Sequence, residues 1–151
     1  MAEIKETAEQ RFRQLLKKYP GYDTNTYKLV YEALDYTLKN VVGSGNRPDH
    51  HVSAKELLEG LRLYAIEQFG CLAKTVLNEN GIKRTNDVGE IVFNLIKENL
   101  MGKQESDMKE DFDNVYDFSQ VFGVKPKFSY NPNKKEWKAS YVQRRKKKGE
   151  R

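Results

Sequence analysis

The residues with the clearest chemical potential are the cations and aromatics gathered at the C-terminal end of the chain. Residues 124–151 contain 11 Lys/Arg and two Glu, whereas residues 1–123 contain 16 Lys/Arg and 20 Asp/Glu. Cations neutralise phosphates and release their counterions, and exposed aromatic rings stack on unpaired bases at roughly 1–3 kcal/mol per base. We therefore expect this segment to bind a polyanion, namely RNA, DNA or a ribonucleoprotein. The predicted nucleic-acid-binding residues are Lys125, Lys127, Lys134, Lys135, Trp137, Lys138, Tyr141, Arg144, Arg145, Lys146, Lys147 and Lys148.

The aromatic residues favour RNA over duplex DNA, since their rings stack on bases that are not already paired. Phe128 and Tyr130 interleave with the lysines and add to the stacking capacity. No residue pattern encodes a preference for particular bases. An acidic protein partner, a membrane surface and a solubilising role are the alternatives that the charge alone leaves open.

Composition also predicts the conformation of this basic segment. A run with high net charge and few aliphatic residues buries too little apolar surface to offset its conformational entropy, which is typical of disorder. We therefore expect residues 124–151 to be a disordered tail. If the tail folded as a helix on binding, one face of that helix would carry Trp137, Tyr141 and Arg144 or Arg145.

A second candidate surface is the segment 103–122, in which acidic residues alternate with aromatic ones. Its carboxylates and rings suit a protein partner, so a protein-interaction adaptor that uses this segment is the alternative function. Asp111 and Asp113 resemble the start of a calcium loop, but Tyr116 occupies the position of the required glycine. We expect an irregular acidic segment with one helical turn at its end, and a short wing hairpin within residues 103–116 is the alternative.

Catalytic and metal chemistry have little support in the sequence. The two histidines, His50 and His51, are adjacent, and a structural zinc site needs four ligands that neighbouring residues rarely supply together. The lone Cys71 has no partner thiol, which is typical of a reducing cytoplasm. No Gly-rich phosphate loop and no nucleophile–base pattern stands out. We expect a non-catalytic protein with no cofactor and no metal.

Hydrophobic periodicity predicts the elements that must position these groups. Apolar residues recur at helical spacing in five stretches, and Ser53 and Glu56 form a capping box at the start of the third. The predicted helices cover residues 4–18, 26–41, 53–70, 71–80 and 85–102. We therefore expect an all-α fold, a compact bundle of about five helices over residues 1–123. No apolar run approaches the ~18–20 residues that cross a bilayer, so we expect no membrane partner and a cytoplasmic location.

Five stretches of the bundle resemble an uncharacterised family of small helical bacterial proteins, described chiefly from Planctomycetes and Verrucomicrobia. They are residues 31–37 (YEALDYT), 51–60 (HVSAKELLEG), 64–70 (YAIEQFG), 87–95 (DVGEIVFNL) and 110–113 (EDFD). The resemblance covers roughly residues 10–123. It implies a shared fold and supplies no activity, cofactor or catalytic residue. The basic segment lies outside the matching region.

Overall fold

The computed structural model describes residues 6–43, 51–104 and 107–144. Within these ranges the chain forms a helical body and a two-stranded antiparallel hairpin. The helices are α1 Ala8–Lys18, α2 Thr24–Asn40, α3 Ala54–Phe69, α4 Ala73–Glu79, α5 Thr85–Lys97 and α6 Phe118–Val121. The strands are β1 Val124–Asn131 and β2 Glu136–Gln143, and 3-10 turns cover Gly70–Leu72 and Lys109–Phe112. The prediction of a mostly helical fold is confirmed, and the prediction of an all-α fold is wrong because of the hairpin.

Helix α3 begins where the sequence places its capping box. The Ser53 Oγ accepts a hydrogen bond from the Glu56 N–H at 3.2 Å, and the Glu56 Oε1 accepts one from the Ser53 N–H at 3.1 Å. These bonds satisfy backbone donors that have no partner inside the helix. The helix ends at Gly70, whose φ of 56° lies in the region that residues with a side chain disfavour. Both boundaries therefore follow from residue types.

The apolar faces of the helices meet in a common core. The fully buried side chains of this core include Tyr27 and Val30 of α2, Leu58 and Leu61 of α3, and Ile91 and Leu95 of α5. Removing such side chains from water contributes about 25 cal/mol per Å² of apolar surface, the main stabilising term of a fold of this kind. Gly60 of α3 lies directly against Thr37 of α2, so the missing side chain allows the two helices to approach closely.

The acidic segment packs its aromatic side chains into the core. Phe112, Phe118 and Phe122 are buried, and helix α6 supplies the predicted helical turn. No strand occurs in the described part of residues 103–116, so the alternative of a wing hairpin there is wrong. The physical reason is that Phe112 packs onto Gly89 of α5, where an added Cβ would lie 2.8 Å from the Phe112 Cβ. This contact ties the segment to a helix.

Tyrosines within the body make the fold sensitive to alkaline pH. The Tyr116 hydroxyl donates to the Leu58 carbonyl at 2.6 Å, and burial raises the pKa of Tyr116 well above its ordinary value. Burial and a hydrogen bond to Glu32 raise the pKa of Tyr64 to about 12. Unfolded tyrosines lose their protons near pH ~10. The stability that these neutral groups contribute is therefore present below pH ~10 and is lost as the pH rises from there toward the folded pKa values.

We expect the free energy of unfolding to fall as the pH rises from about 10 to about 12, and Tyr116→Phe to reduce that fall. The substitution should also cost about 1 kcal/mol at neutral pH, because the Leu58 carbonyl loses a hydrogen bond. Urea titrations of both proteins at neutral and alkaline pH measure the two effects. The same pH dependence in the two proteins would contradict this role of Tyr116.

Candidate nucleic-acid interface

Residues 124–143, predicted to be part of a disordered tail, form an antiparallel β-hairpin that we call the hairpin arm. The register pairs Val124 with Gln143 at the root of the arm and Asn131 with Glu136 at its tip. The prediction of disorder is wrong here because apolar and polar residues alternate with the period of a strand, as KPKFSY in β1 and WKASY in β2. The segment forms strands in the chain by itself, whereas the helix considered above was a prediction for the state bound to a partner.

The loop at the tip is determined by its own side chains. The Asn131 Oδ1 accepts hydrogen bonds from the backbone N–H groups of Asn133 and Lys134 at 3.0 and 3.3 Å. This turn, together with the fixed φ of Pro132, reverses the chain. Lys135 completes the loop with a φ of 52°, a left-handed conformation that costs a residue with a side chain about 1–2 kcal/mol. The loop thereby fixes the register that divides the side chains between two faces.

The root of the arm is attached to the helical body. Val124 is buried, and the Arg144 N–H donates to the Gly123 carbonyl at 2.8 Å. The Tyr141 ring lies over Gly70, where an added Cβ would come within 2.5 Å of it. A two-stranded hairpin is marginally stable in water by itself, so these contacts hold the arm in place. Beyond the root, the residues of both faces are exposed.

Strand pairing divides the side chains of the arm between two opposite faces, since successive residues of a strand point to alternate sides. One face, which we call the aromatic face, carries Phe128, Tyr130, Trp137 and Tyr141, with exposed fractions of 66, 48, 72 and 40%. The other, the lysine face, carries Lys125, Lys127 and Lys138. The rings of Tyr130 and Trp137 face each other across the strands, with centroids 5.2 Å apart. Stacking and charge neutralisation are therefore available on opposite sides of one arm.

The lysine face is a cluster of positive charge, with one carboxylate, that of Glu136, at its end nearest the tip. Lys125 and Lys127 are about 6.8 Å apart along β1, and Lys138 is a diagonal neighbour of Lys127 at about 7–8 Å. Among the described residues, ion pairs such as Lys18–Glu98 join groups of the helical body, and none involves these three lysines. Cations at this spacing suit the closely spaced charges of a phosphate backbone.

The remaining predicted site residues lie outside the two faces or outside the described part of the chain. Lys134 and Lys135 are in the loop at the tip, and Arg144 directly follows β2. Four predicted cations lie outside the described residues, namely Arg145, Lys146, Lys147 and Lys148. The structure therefore gathers the predicted lysines of the strands on one surface and places Trp137 and Tyr141 on the opposite one.

The body contains a cavity of about 450 Å³ between α3, α5 and the acidic segment. Its walls are mainly apolar, and at its edge the His51 Nε2 lies 3.2 Å from the Asp107 Oδ1. This contact links the start of α3 to the acidic segment, whereas His50 lies outside the described residues. Within residues 6–43, 51–104 and 107–144, no group of three or more His, Cys, Asp or Glu side chains is arranged to hold a metal ion.

Comparison with known proteins gives no family for this chain, since no protein-family model, curated protein or solved structure matches it. The resemblance to a family of small bacterial proteins therefore stays a prediction. In the part of the chain that the structure describes, no helix is both long enough and apolar enough to cross a lipid bilayer.

Proposed function

We propose that this protein is a non-catalytic nucleic-acid-binding module of the bacterial cytoplasm, with RNA or a ribonucleoprotein as the favoured partner. The observation that supports the proposal best is the lysine face of the hairpin arm. It presents three neighbouring cations on an exposed element, while residues 1–123 carry 20 acidic against 16 basic side chains. A polyanion is repelled by the acidic body and attracted to the arm, so binding is directed to the hairpin.

The chemistry of the arm favours a nucleic acid over an acidic protein. A nucleic-acid strand carries a negative charge at every nucleotide, so several phosphates stay within reach of cations that are about 7 Å apart. An acidic protein would have to hold carboxylates at the same density. The exposed rings of the aromatic face add partners for bases, which an acidic peptide does not have.

The adaptor alternative has less support from the structure. It needs the aromatic side chains of the acidic segment at the surface, whereas Phe112, Phe118 and Phe122 are buried. Met108 and Val115 are exposed there. Two such side chains provide far less than the ~600 Å² that each partner contributes to even a small stable interface.

The proposal predicts that the 151-residue chain binds RNA with a steep dependence on salt. Fluorescence anisotropy of a labelled RNA that contains unpaired bases measures the affinity across a salt series. We expect log K to fall against log salt with a slope of at least about 2, because each of three phosphate contacts contributes about 0.7. Polyglutamate is the control, and it should displace the RNA poorly at equal charge. No binding at low salt, or an affinity that does not change with salt, would refute the proposal.

A further inference from the structure

We propose that the aromatic face is a base-stacking platform and that its ligand is a folded RNA that encloses the hairpin arm. This inference rests on the proposed function and names the class of RNA. Unpaired bases of the ligand stack on Phe128 and Trp137, while phosphates of the same molecule contact the lysine face. Internal loops and helix junctions are the RNA elements that can present bases and phosphates around one projecting arm.

The aromatic face exposes more apolar surface than support of the hairpin requires. Aromatic side chains present about 150–250 Å² each, so the exposed fractions of these four rings leave on the order of 450 Å² in contact with water. Continuous apolar patches of about 300–600 Å² are often functional on a single chain. The size of this patch therefore points to an occupant.

A second copy of the chain fits this patch less well than RNA bases do. Face-to-face packing of two such patches would bury roughly 900 Å² in total, whereas a stable, specific interface buries about 1,200–2,000 Å². Stacking needs only two or three rings, because each stacked base contributes separately to the affinity. The available area thus favours bases over a second aromatic face.

The rings and the lysines lie on opposite faces of the arm, which restricts the RNA structures that can contact both. A single extended strand that lies on one face meets either the rings or the lysines, and duplex RNA keeps its bases paired and stacked away from the rings. Groups that pack against the two faces of a sheet are about 20 Å apart, and strands of eight residues are about 27 Å long. A folded RNA places unpaired bases and phosphates on both sides of an arm of this size.

Trp137 makes the inference measurable because it is the only tryptophan in the sequence. Three RNAs are compared on the 151-residue chain: a hairpin with an internal loop, the same hairpin with the loop fully paired, and an unstructured strand of the loop sequence. We expect the looped RNA to bind at least about tenfold more tightly than the paired one. Its binding should quench the Trp137 emission in step with the change in anisotropy.

Phe128→Ser tests the platform and leaves the Tyr130–Trp137 pair in place. It should weaken binding of the looped RNA about tenfold and leave binding of the paired RNA unchanged, because only the looped RNA offers bases to the ring. Met108→Ser is the matched control, since Met108 is an exposed apolar residue of the body. This control should leave both affinities unchanged.

The outcomes separate the platform from the function on which it rests. Salt-dependent binding without quenching of Trp137 and without preference for the loop would overturn the platform and leave the proposed function intact. If the unstructured strand binds as tightly as the looped RNA and quenches Trp137 to the same extent, the ligand does not have to be a folded RNA that encloses the arm, and that part of the inference is wrong. A blue shift of the Trp137 emission with rising protein concentration, in the absence of RNA, would show that a second copy occupies the face. Absence of binding to all three RNAs would contradict the proposed function as well.

Discussion

Replacing Lys125, Lys127 and Lys138 together by glutamine is expected to weaken RNA binding about 50-fold at 0.15 M salt. Three phosphate contacts contribute about 2 to the slope of log K against log salt. With this slope, the contacts make the binding constant about 50-fold larger at 0.15 M salt than at 1 M salt, and the variant should lose that factor. Glutamine keeps the side chain long and polar, and the three positions are exposed, so the arm should still fold. Anisotropy titrations across a salt series measure the affinity and the slope, which should fall by about 2.

The matched control removes the same charge from the helical body. Lys17, Lys55 and Lys97 are exposed residues of α1, α3 and α5, and their joint replacement by glutamine gives the same net charge. We expect less than about a threefold change in affinity, because charges more than ~8 Å from the ligand are largely screened at physiological salt. An equal loss of affinity in both variants would show that net charge governs binding, against the assignment to the lysine face.

Gly60→Ala is expected to destabilise the body by about 2 kcal/mol or more. A Cβ at position 60 would lie 1.7 Å from the Thr37 Oγ1 and 2.7 Å from the Thr37 Cβ, so α2 and α3 would have to separate. Helix propensity alone predicts the opposite sign, since alanine is about 1 kcal/mol more favourable than glycine within a helix. A loss of unfolding free energy in Gly60→Ala would therefore show that the close approach of α2 and α3 outweighs helix propensity. Urea and thermal unfolding followed by circular dichroism measure it.

Two further variants define the cause of this loss. Gly102→Ala is the control, because a Cβ at Gly102 would meet nothing within 4 Å, and its stability should change by less than about 0.5 kcal/mol. Thr37→Ala removes the Oγ1 with which the new Cβ would clash. The loss of unfolding free energy in the double variant with Gly60→Ala should therefore be about 1 kcal/mol smaller than the sum of the losses in the two single variants. Additive effects would place the cost of Gly60→Ala elsewhere.

The helices could be predicted from the sequence because each carries its own local signals. Apolar residues at helical spacing mark the buried faces, and residues such as Ser53 and Gly70 mark the ends. The predicted end of α5 at Gly102 is too late, since the helix ends at Lys97 and Asn99 adopts a left-handed φ of 57°. Asparagine tolerates that conformation better than most residues, so Asn99 is itself a signal for the end of a helix. The prediction placed the end at Gly102 because glycine adopts this conformation most readily.

The hairpin arm could not be predicted from composition, because net charge is insensitive to the order of residues. The order does contain a signal: lysines alternate with apolar residues in β1, and Asn131 and Pro132 favour a turn between the strands. What no local pattern supplies is the contact of Tyr141 with Gly70, which joins distant parts of the chain and supports the root. The separation of lysines from rings follows from the strand register, so it becomes visible only once the pairing is known.

Backbone amide NMR spectra during a titration with looped RNA test most directly whether RNA binds through the hairpin arm, and a 17.6 kDa chain is small enough for residue-level assignment. We predict that the chemical-shift changes concentrate in residues 124–143, on both faces of the arm, and that α2 and α5 change little. Changes concentrated on the helical body, or no changes at RNA concentrations that saturate the anisotropy signal, would contradict binding through the arm.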